Sequence, residues 1–483
     1  MGRNVVLFQP CVGDMDEFRD RPTPPLGLLS AASHLDPAVE VRFIDARLER
    51  DWRGKLRGAL DAATVAVGIT TLTGGMIRSA AMAARVVREA GVVPIIWGGV
   101  HPSLLPRQTA SSELVDYVVE GEGDLVFGAL ISALASGRRV DLPGVWCGRG
   151  EVRGRPREAL LKLDDLAGPR YELVDMERYI GLYRDKRWFF YQSSRGCPFR
   201  CAYCYNNVFN QGRWRAKSAA RVLAEIETLR ERYSFSTVYF LDDDFFVDKR
   251  RAMTILRGLR EMNLSSVLQG VDIKAMTNLS DDELDFIEEA GVERLSIGVE
   301  SGTDRIRTSL LHKWGTLETV RHQLGRLAER RFLVLLTFII GFPGETPEET
   351  RRTIDLALWA LSRASNFRVP QLYNFVPYPG TELYELLRRR GFPFPGDLEG
   401  WGRYEWDADI LHDHDQSTAD YLERIVFLSK FLDRKLDDYG FGGPLLRAAY
   451  RGYRPLAWLR MRGDLTAPLP ERAAYTIIRR VVG

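Results

Sequence analysis

Three cysteines at C-x3-C-x2-C spacing, Cys197, Cys201 and Cys204, constrain this chain more than any other feature. They lie in the run Ser193-Ser194-Arg195-Gly196-Cys197-Pro198-Phe199-Arg200-Cys201-Ala202-Tyr203-Cys204-Tyr205, whose early Gly and Pro mark a loop. Three thiolates on a cubane [4Fe-4S] cluster leave one iron without a protein ligand. An open metal position is where a small molecule binds. A zinc clasp or a group of buried thiols is the alternative. Zinc usually takes four ligands in two clustered pairs, and no second pair is visible.

At 483 residues the chain exceeds one ordinary core and predicts two or three domains. A net charge of +2 gives no reason to expect a polyanionic partner, so no nucleic acid is assigned. The longest apolar run, residues 332–340, is too short to span a bilayer and reads as a buried strand. No membrane contact is expected. The opening Met1-Gly2-Arg3-Asn4 leads straight into a strand pattern without a signal peptide. Five cysteines in a chain this long make no disulfide framework, and Cys11 and Cys147 read as small hydrophobes. The expected setting is the reduced cytoplasm.

Residues 1–140 alternate strand and helix patterns, with strands expected over 5–8, 41–45, 65–71, 93–97 and 117–124. Continuous apolar strands separated by helices predict an α/β, Rossmann-like (flavodoxin-like) parallel sheet. Such sheets bind ligands beyond the carboxyl ends of their strands. Here those ends carry Thr70 and Thr73, then Gly98, Gly99 and His101, then Glu120 and Gly121. Glycine lets a ligand approach the backbone, and hydroxyls can bond it. His101 reads equally as a pocket contact or a loop residue.

Residues 141–187 read as a linker. From 188 to 385, six strand–helix units predict a partial (β/α)6 barrel with the cysteine loop at the end of its first strand, on the catalytic face. Asp243 sits in a triple-acid run closing the second strand, which in isolation is as easily a solvated turn. Asp272 ends the third strand, Glu300 and Ser301 the fourth, and Gly341 the fifth, while Tyr373 and Asn374 lie near the end of the sixth. Asp272 and Tyr373 are the candidates to touch substrate, each equally a packing residue. Residues 386–483 predict a mainly helical region. Its run 412–415 reads as a polar loop rather than a metal site, and its arginine-rich tail reads as a helical annex.

The cysteine run, Tyr203 included, resembles the signature of the radical S-adenosylmethionine (SAM) superfamily. The runs 241–245, 298–302, 340–346 and 377–383 resemble that family's strand ends, and Gly98-Gly99-Val100-His101-Pro102-Ser103 with Glu120-Gly121-Glu122-Gly123-Asp124 resembles the cobalamin-binding domain preceding many of its barrels. The resemblance implies that SAM fills the open iron site, with Asp243 near its amino group, Glu300 on its ribose and Gly341 close to its adenine. It implies reductive cleavage to a 5′-deoxyadenosyl radical, driven by an external electron donor such as flavodoxin or ferredoxin. The Asp-x-His-x-x-Gly motif that supplies a lower axial histidine elsewhere is absent, as it often is in these relatives. With cobalamin, the implied reaction is C-methylation of a small molecule in secondary metabolism, such as antibiotic biosynthesis. The alternatives are a radical dehydratase or cyclase acting on an amino-sugar or tetrapyrrole-like substrate, and a non-enzymatic cobalamin sensor. Replacing Cys197, Cys201 and Cys204 by Ala should abolish the brown chromophore and SAM cleavage; a colourless but active triple variant would refute the cluster assignment.

Overall fold

The computed structural model describes residues 2–12, 21–91, 93–148, 150–183, 185–411, 416–433 and 444–463. The N-terminal sheet holds β1 (Asn4–Gln9), β2 (Glu40–Asp45), β3 (Thr64–Thr70), β4 (Ile95–Gly98), β5 (Tyr117–Val119), β6 (Val145–Cys147) and β7 (Arg153–Gly154). Its order is β2-β1-β3-β4-β5-β6-β7. The first five strands are parallel, in the flavodoxin-like order, and β6 and β7 add antiparallel at one edge. All six residues of β1 are buried, as expected of a central strand covered by helices on both faces.

The second sheet contains β8 (Gly181–Tyr183), β9 (Lys186–Tyr191), β12 (Thr237–Phe240), β13 (Ser265–Val271), β14 (Val292–Glu300), β15 (Leu333–Ile340), β16 (Phe367–Arg368) and β17 (Leu372–Asn374). A short pair, β10 (Ser194–Arg195) and β11 (Arg215–Ala216), brackets the cysteine loop. The large sheet runs β16-β15-β14-β13-β12-β9-β8, with β17 also on β15, so its two edges never meet and the barrel stays half open. The sixth strand, expected as one piece, is broken at 369–371. Pro370 has no N–H to give the ladder.

Local chemistry places the helices. Ser280 with Glu283, and Thr346 with Glu349, form capping boxes that start Asp281–Glu289 and Pro347–Arg363. At Gly302, just past β14, an added Cβ would lie 2.3 Å from the Arg352 carbonyl, so the strand end and helix touch backbone to backbone.

The C-terminal region clamps both domains. Trp401, 1 % exposed, packs against helix Gly75–Ala90 of the first domain. It donates from Nε1 to Gln108 Oε1 (2.8 Å) and stacks on Phe394. The helix Pro444–Gly463 buries Tyr450, Ala457 and Met461. Arg454 and Trp458 both donate to the Leu432 carbonyl (3.0 and 2.8 Å), which turns at least one tail arginine into packing. The polar run 412–415 lies outside the described residues. No helix among the described residues is long and apolar enough to cross a membrane. Trp401→Ala should cost about 3–5 kcal/mol in denaturant unfolding. Glu399→Ala, which removes a half-exposed pair with Arg85, should cost under about 1 kcal/mol. Equal costs would contradict this account of the clamp.

Candidate active site: a cysteine loop beneath an interdomain cavity

The three thiols are half-buried and unlinked between β10 and helix Asn206–Phe209. Gly196 opens the loop at φ +84°, and an added Cβ would stand 2.1 Å from the Arg213 carbonyl, so no other residue passes there. Burial pushes all three thiols up, Cys204 to about 12. Such thiols become thiolates through a bound metal, which deprotonates its ligands. Among the described residues no three His, Cys, Asp or Glu side chains gather tightly enough for one metal ion. A cubane, with one iron per thiolate, needs no such convergence.

The triple-acid run separates into three tasks. Asp242 accepts from Ser193 N (2.7 Å) and from the Ser193 and Ser194 hydroxyls, holding the end of β9. Asp243 accepts from Gly196 N (2.7 Å) and Asn206 Nδ2 (2.8 Å), one residue on each side of the cysteines. The resemblance led to an Asp243 facing the SAM amino group; here both of its oxygens brace the loop. Asp244 is pushed up to about 7 by burial and then by the nearby Asp272 charge.

On the other side of the loop, β14 ends at Glu300, buried at φ +68°. Tyr203 OH donates to Glu300 Oε1 at 2.8 Å. The buried ammonium of Lys313 stands 3.4 Å from Glu300 and 3.4 Å from Asp272, which also caps helix Ile273–Thr277. Burial opposes the charge on Lys313, but the two acids outweigh it and its pKa lies above the ordinary lysine value. Cys201, Asp272 and Lys313 line a 460 Å³ cavity with Arg200, Lys274 and Trp314 at its mouth. Ser301 turns away toward Thr353 (3.3 Å). Gly341 adopts φ +77° beside Leu422, and Tyr373 lies edge-on to Trp406.

A larger cavity, 650 Å³, opens between the domains. Thr70, Gly98, Gly99 and Gly121 line its upper side, and Arg195, Asn206, Asp243 and Gln269 its lower side. A side chain at Gly98 would meet nothing closer than 3.8 Å, so it would stand in the cavity. Three residues expected here are not among its lining. Thr73 Oγ1 bonds His101 Nδ1 (2.9 Å), and Glu120 accepts from Trp146 Nε1 (2.8 Å). His101 is fully buried 5.6 Å from Trp401, and burial lowers its pKa to about 3.

The structure adds residues that the sequence reading did not single out. Arg195 crosses to the first domain, bonding Glu122 (2.8 Å) and Asp124 (2.9 and 3.1 Å), while Arg215 holds the other Glu122 oxygen (2.8 Å). Burial alone would raise Glu122, yet the two arginines hold it below the usual carboxylate range. Lys313 and Arg195 carried no local signal, since their importance comes from what folding places around them.

A half barrel bearing a cysteine loop at its strand ends, under a flavodoxin-like domain, defines an enzyme that builds its site between two cofactor-binding units. The Radical SAM superfamily profile matches residues 191–357 and the B12 binding domain profile residues 19–131. The chain belongs to the radical SAM superfamily and carries a B12-binding domain ahead of its barrel. It is 29% identical over 450 residues to an uncharacterized methyltransferase of Pyrococcus horikoshii, covering 89% of this chain and 93% of that one. It is 23% identical over 386 residues to the anaerobic magnesium-protoporphyrin IX monomethyl ester cyclase of Rubrivivax gelatinosus, covering 78% and 67%. Its fold matches the radical SAM methyltransferase TsrM of Kitasatospora setae, solved with cobalamin and a [4Fe-4S] cluster, with a TM-score of 0.66 at 17% identity over 96% of this chain and all of that one.

The cofactors of this class are the [4Fe-4S] cluster, SAM and cobalamin, and the residues present fit them. Three thiols, with no fourth cysteine beside them among the described residues, suit a cluster with one open iron. A glycine-edged cavity without a histidine in its lining suits a corrinoid held with no protein ligand from that residue type. Asp243→Ala would strand the Gly196 and Asn206 donors, each worth about 1–3 kcal/mol. The variant should retain less than half the wild-type iron after reconstitution, read by iron content and visible absorbance; a full iron complement would remove the bracing role.

Proposed function

We propose that this enzyme transfers a methyl group to an unactivated carbon of a small molecule of secondary metabolism, in the reduced cytoplasm. The observation that carries the reading is the 650 Å³ cavity shared by the B12-binding domain and the barrel, bordered by Asp243 and Asn206 of the cysteine-loop brace. When bound, the cofactors supply the electron transfer, the radical and the methyl group, and the protein supplies position.

The chain's own groups divide that positioning. Cys197, Cys201 and Cys204 hold the cluster, and Asp243 keeps their loop in shape. Glu300, oriented by Tyr203 and Lys313, faces the SAM site as a ribose acceptor, and the Lys313 ammonium is placed to meet a ligand carboxylate. Asp272, paired with Lys313, stands toward substrate, with Tyr373 further along the rim. Electrons come from an external one-electron carrier such as flavodoxin or ferredoxin. Arg200 and Lys274, at the cavity mouth beside Cys201, suit an acidic carrier.

The likeness to a tetrapyrrole ester cyclase supports a second reading, radical cyclisation or dehydration without methyl transfer. Anaerobic reconstitution with SAM and reductant, with and without cobalamin, separates the two. Bound corrinoid with S-adenosylhomocysteine is the expected result. 5′-Deoxyadenosine alone, with no corrinoid retained, would replace methyl transfer by the second reading. Glu300→Ala should weaken SAM binding about tenfold, as loss of a charged hydrogen bond does, with the cluster spectrum unchanged. Unaltered SAM affinity would remove Glu300 from the site.

A further inference from the structure

The helix Pro444–Gly463 has two faces of unusual composition. Its inner face buries Tyr450, Ala457 and Met461, and Tyr453 meets Phe431 edge-on at 4.8 Å. On the outer face, every exposed position over 448–463 is alanine, glycine, proline, leucine or arginine. None carries a hydroxyl, an amide or an acid. Leu459 is 62 % exposed, more than any other large apolar side chain among the described residues, and Leu456, three residues earlier, is 41 % exposed. The helical repeat brings Ala448, Gly452, Pro455 and Leu459 into one outward stripe. Arg451 and Arg462, both exposed and eleven residues apart, share one border of that stripe. The whole helix holds five arginines and no Asp or Glu.

An ordinary surface helix of this chain looks different. Helix Ala219–Tyr233 turns Glu227, Thr228 and Glu231 outward among its arginines, and water solvates them all. The outer face of Pro444–Gly463 loses little on leaving water, because its centre is carbon and its arginines can carry their charged heads to the edge on long stems. Charge of one sign around an apolar centre also selects the partner. A second copy of this face would set arginine against arginine. A nucleic acid would meet leucine where stacking rings or base-reading amides are needed. A layer of anionic headgroups over acyl chains matches both the rim and the centre. With five arginines in twenty residues the helix cannot span a bilayer and would lie flat on it.

We propose that the outer face of helix Pro444–Gly463 docks the enzyme on an anionic lipid surface, with Leu456 and Leu459 at the acyl boundary and Arg451 and Arg462 among the phosphates. A surface helix needs no long apolar run, so this contact escapes the expectation, drawn from run length, that the chain meets no membrane. It holds whichever reaction the cofactors perform.

Co-sedimentation of the purified full chain with vesicles tests this without turnover, using phosphatidylcholine alone and phosphatidylcholine mixed with phosphatidylglycerol. The chain should bind the mixed vesicles at least about tenfold more tightly than the neutral ones, since each arginine at an anionic surface contributes about fivefold. Leu459→Asp should weaken binding to the mixed vesicles at least about tenfold, and Arg462→Glu at least about fivefold. Leu182→Asp alters a leucine of β8 that is 49 % exposed elsewhere on the surface, and should leave vesicle binding unchanged. Iron content after reconstitution, kept at the wild-type value in all three variants, reports that they are folded. Equal binding to the two vesicle types, no binding to either, or binding that Leu459→Asp leaves intact would overturn the docking. A dimer that Leu459→Asp dissociates, in a chain that ignores both vesicle types, would give the face to a second copy instead.

Discussion

The site depends on a half-buried carboxylate whose oxygens brace the cysteine loop. Asp243 ties the residue before Cys197 to the residue two past Cys204, through one backbone and one side-chain donor. Ala202 and Tyr203 pack the middle of the loop against the barrel, and these hydrogen bonds fix its two ends. Those bonds are charge-assisted and partly withdrawn from water, which also makes an unpaired partner costly. Asp242 does the same one step back, tying the strand end at Ser193 and Ser194. The loop is thus anchored to the second strand of the barrel, not merely to its own.

This explains why the acid run was legible in position and not in role. In the sequence Asp242, Asp243 and Asp244 form one block, and a resemblance assigns the block to SAM. In the fold the chain leaves β12 as a turn, so consecutive side chains point in different directions, to Ser193, to Gly196 and toward Asp272. The parallel strands and the cysteine loop could be read because they are local patterns of spacing and polarity. The break at Pro370 was also written in the sequence, since proline has no N–H to bond a neighbouring strand, and an expectation of one continuous strand passed over it. Lys313 and Arg195 are different. A lysine thirteen residues past Glu300 is unremarkable until the chain folds it between two acids.

The two domains are joined by charge in a place where apolar packing would have been simpler. Arg195, two residues before Cys197, is held by Glu122 in the loop after β5 and by Asp124 in the first turn of the helix that follows, and Arg215 takes the remaining Glu122 oxygen. Desolvating such groups is expensive, and a buried ion network is weak evidence for stability. It is better evidence for geometry. Planar guanidinium groups shared between fixed carboxylates tolerate little sliding, whereas an apolar face would allow it. The loop that edges the upper cavity and the loop that carries the thiols are consequently held in one register.

The half-open barrel then has a physical rationale. A closed barrel fills its interior with side chains and leaves only its rim for chemistry. Here the strands stop short of closure, and the B12-binding domain covers the face of β9, β12 and β13 through the Arg195 contacts. The opposite edge, at β16 and β17, is covered by the C-terminal helices through Leu372 and Ser429. The open space is thereby divided: one side next to Cys201 is ringed by charged residues, and the other is edged by glycine and reaches an apolar interior. A polar ligand such as SAM and a large flat one such as a corrinoid would find different solvation on the two sides of one short loop, which is the condition for holding both cofactors without competition between them.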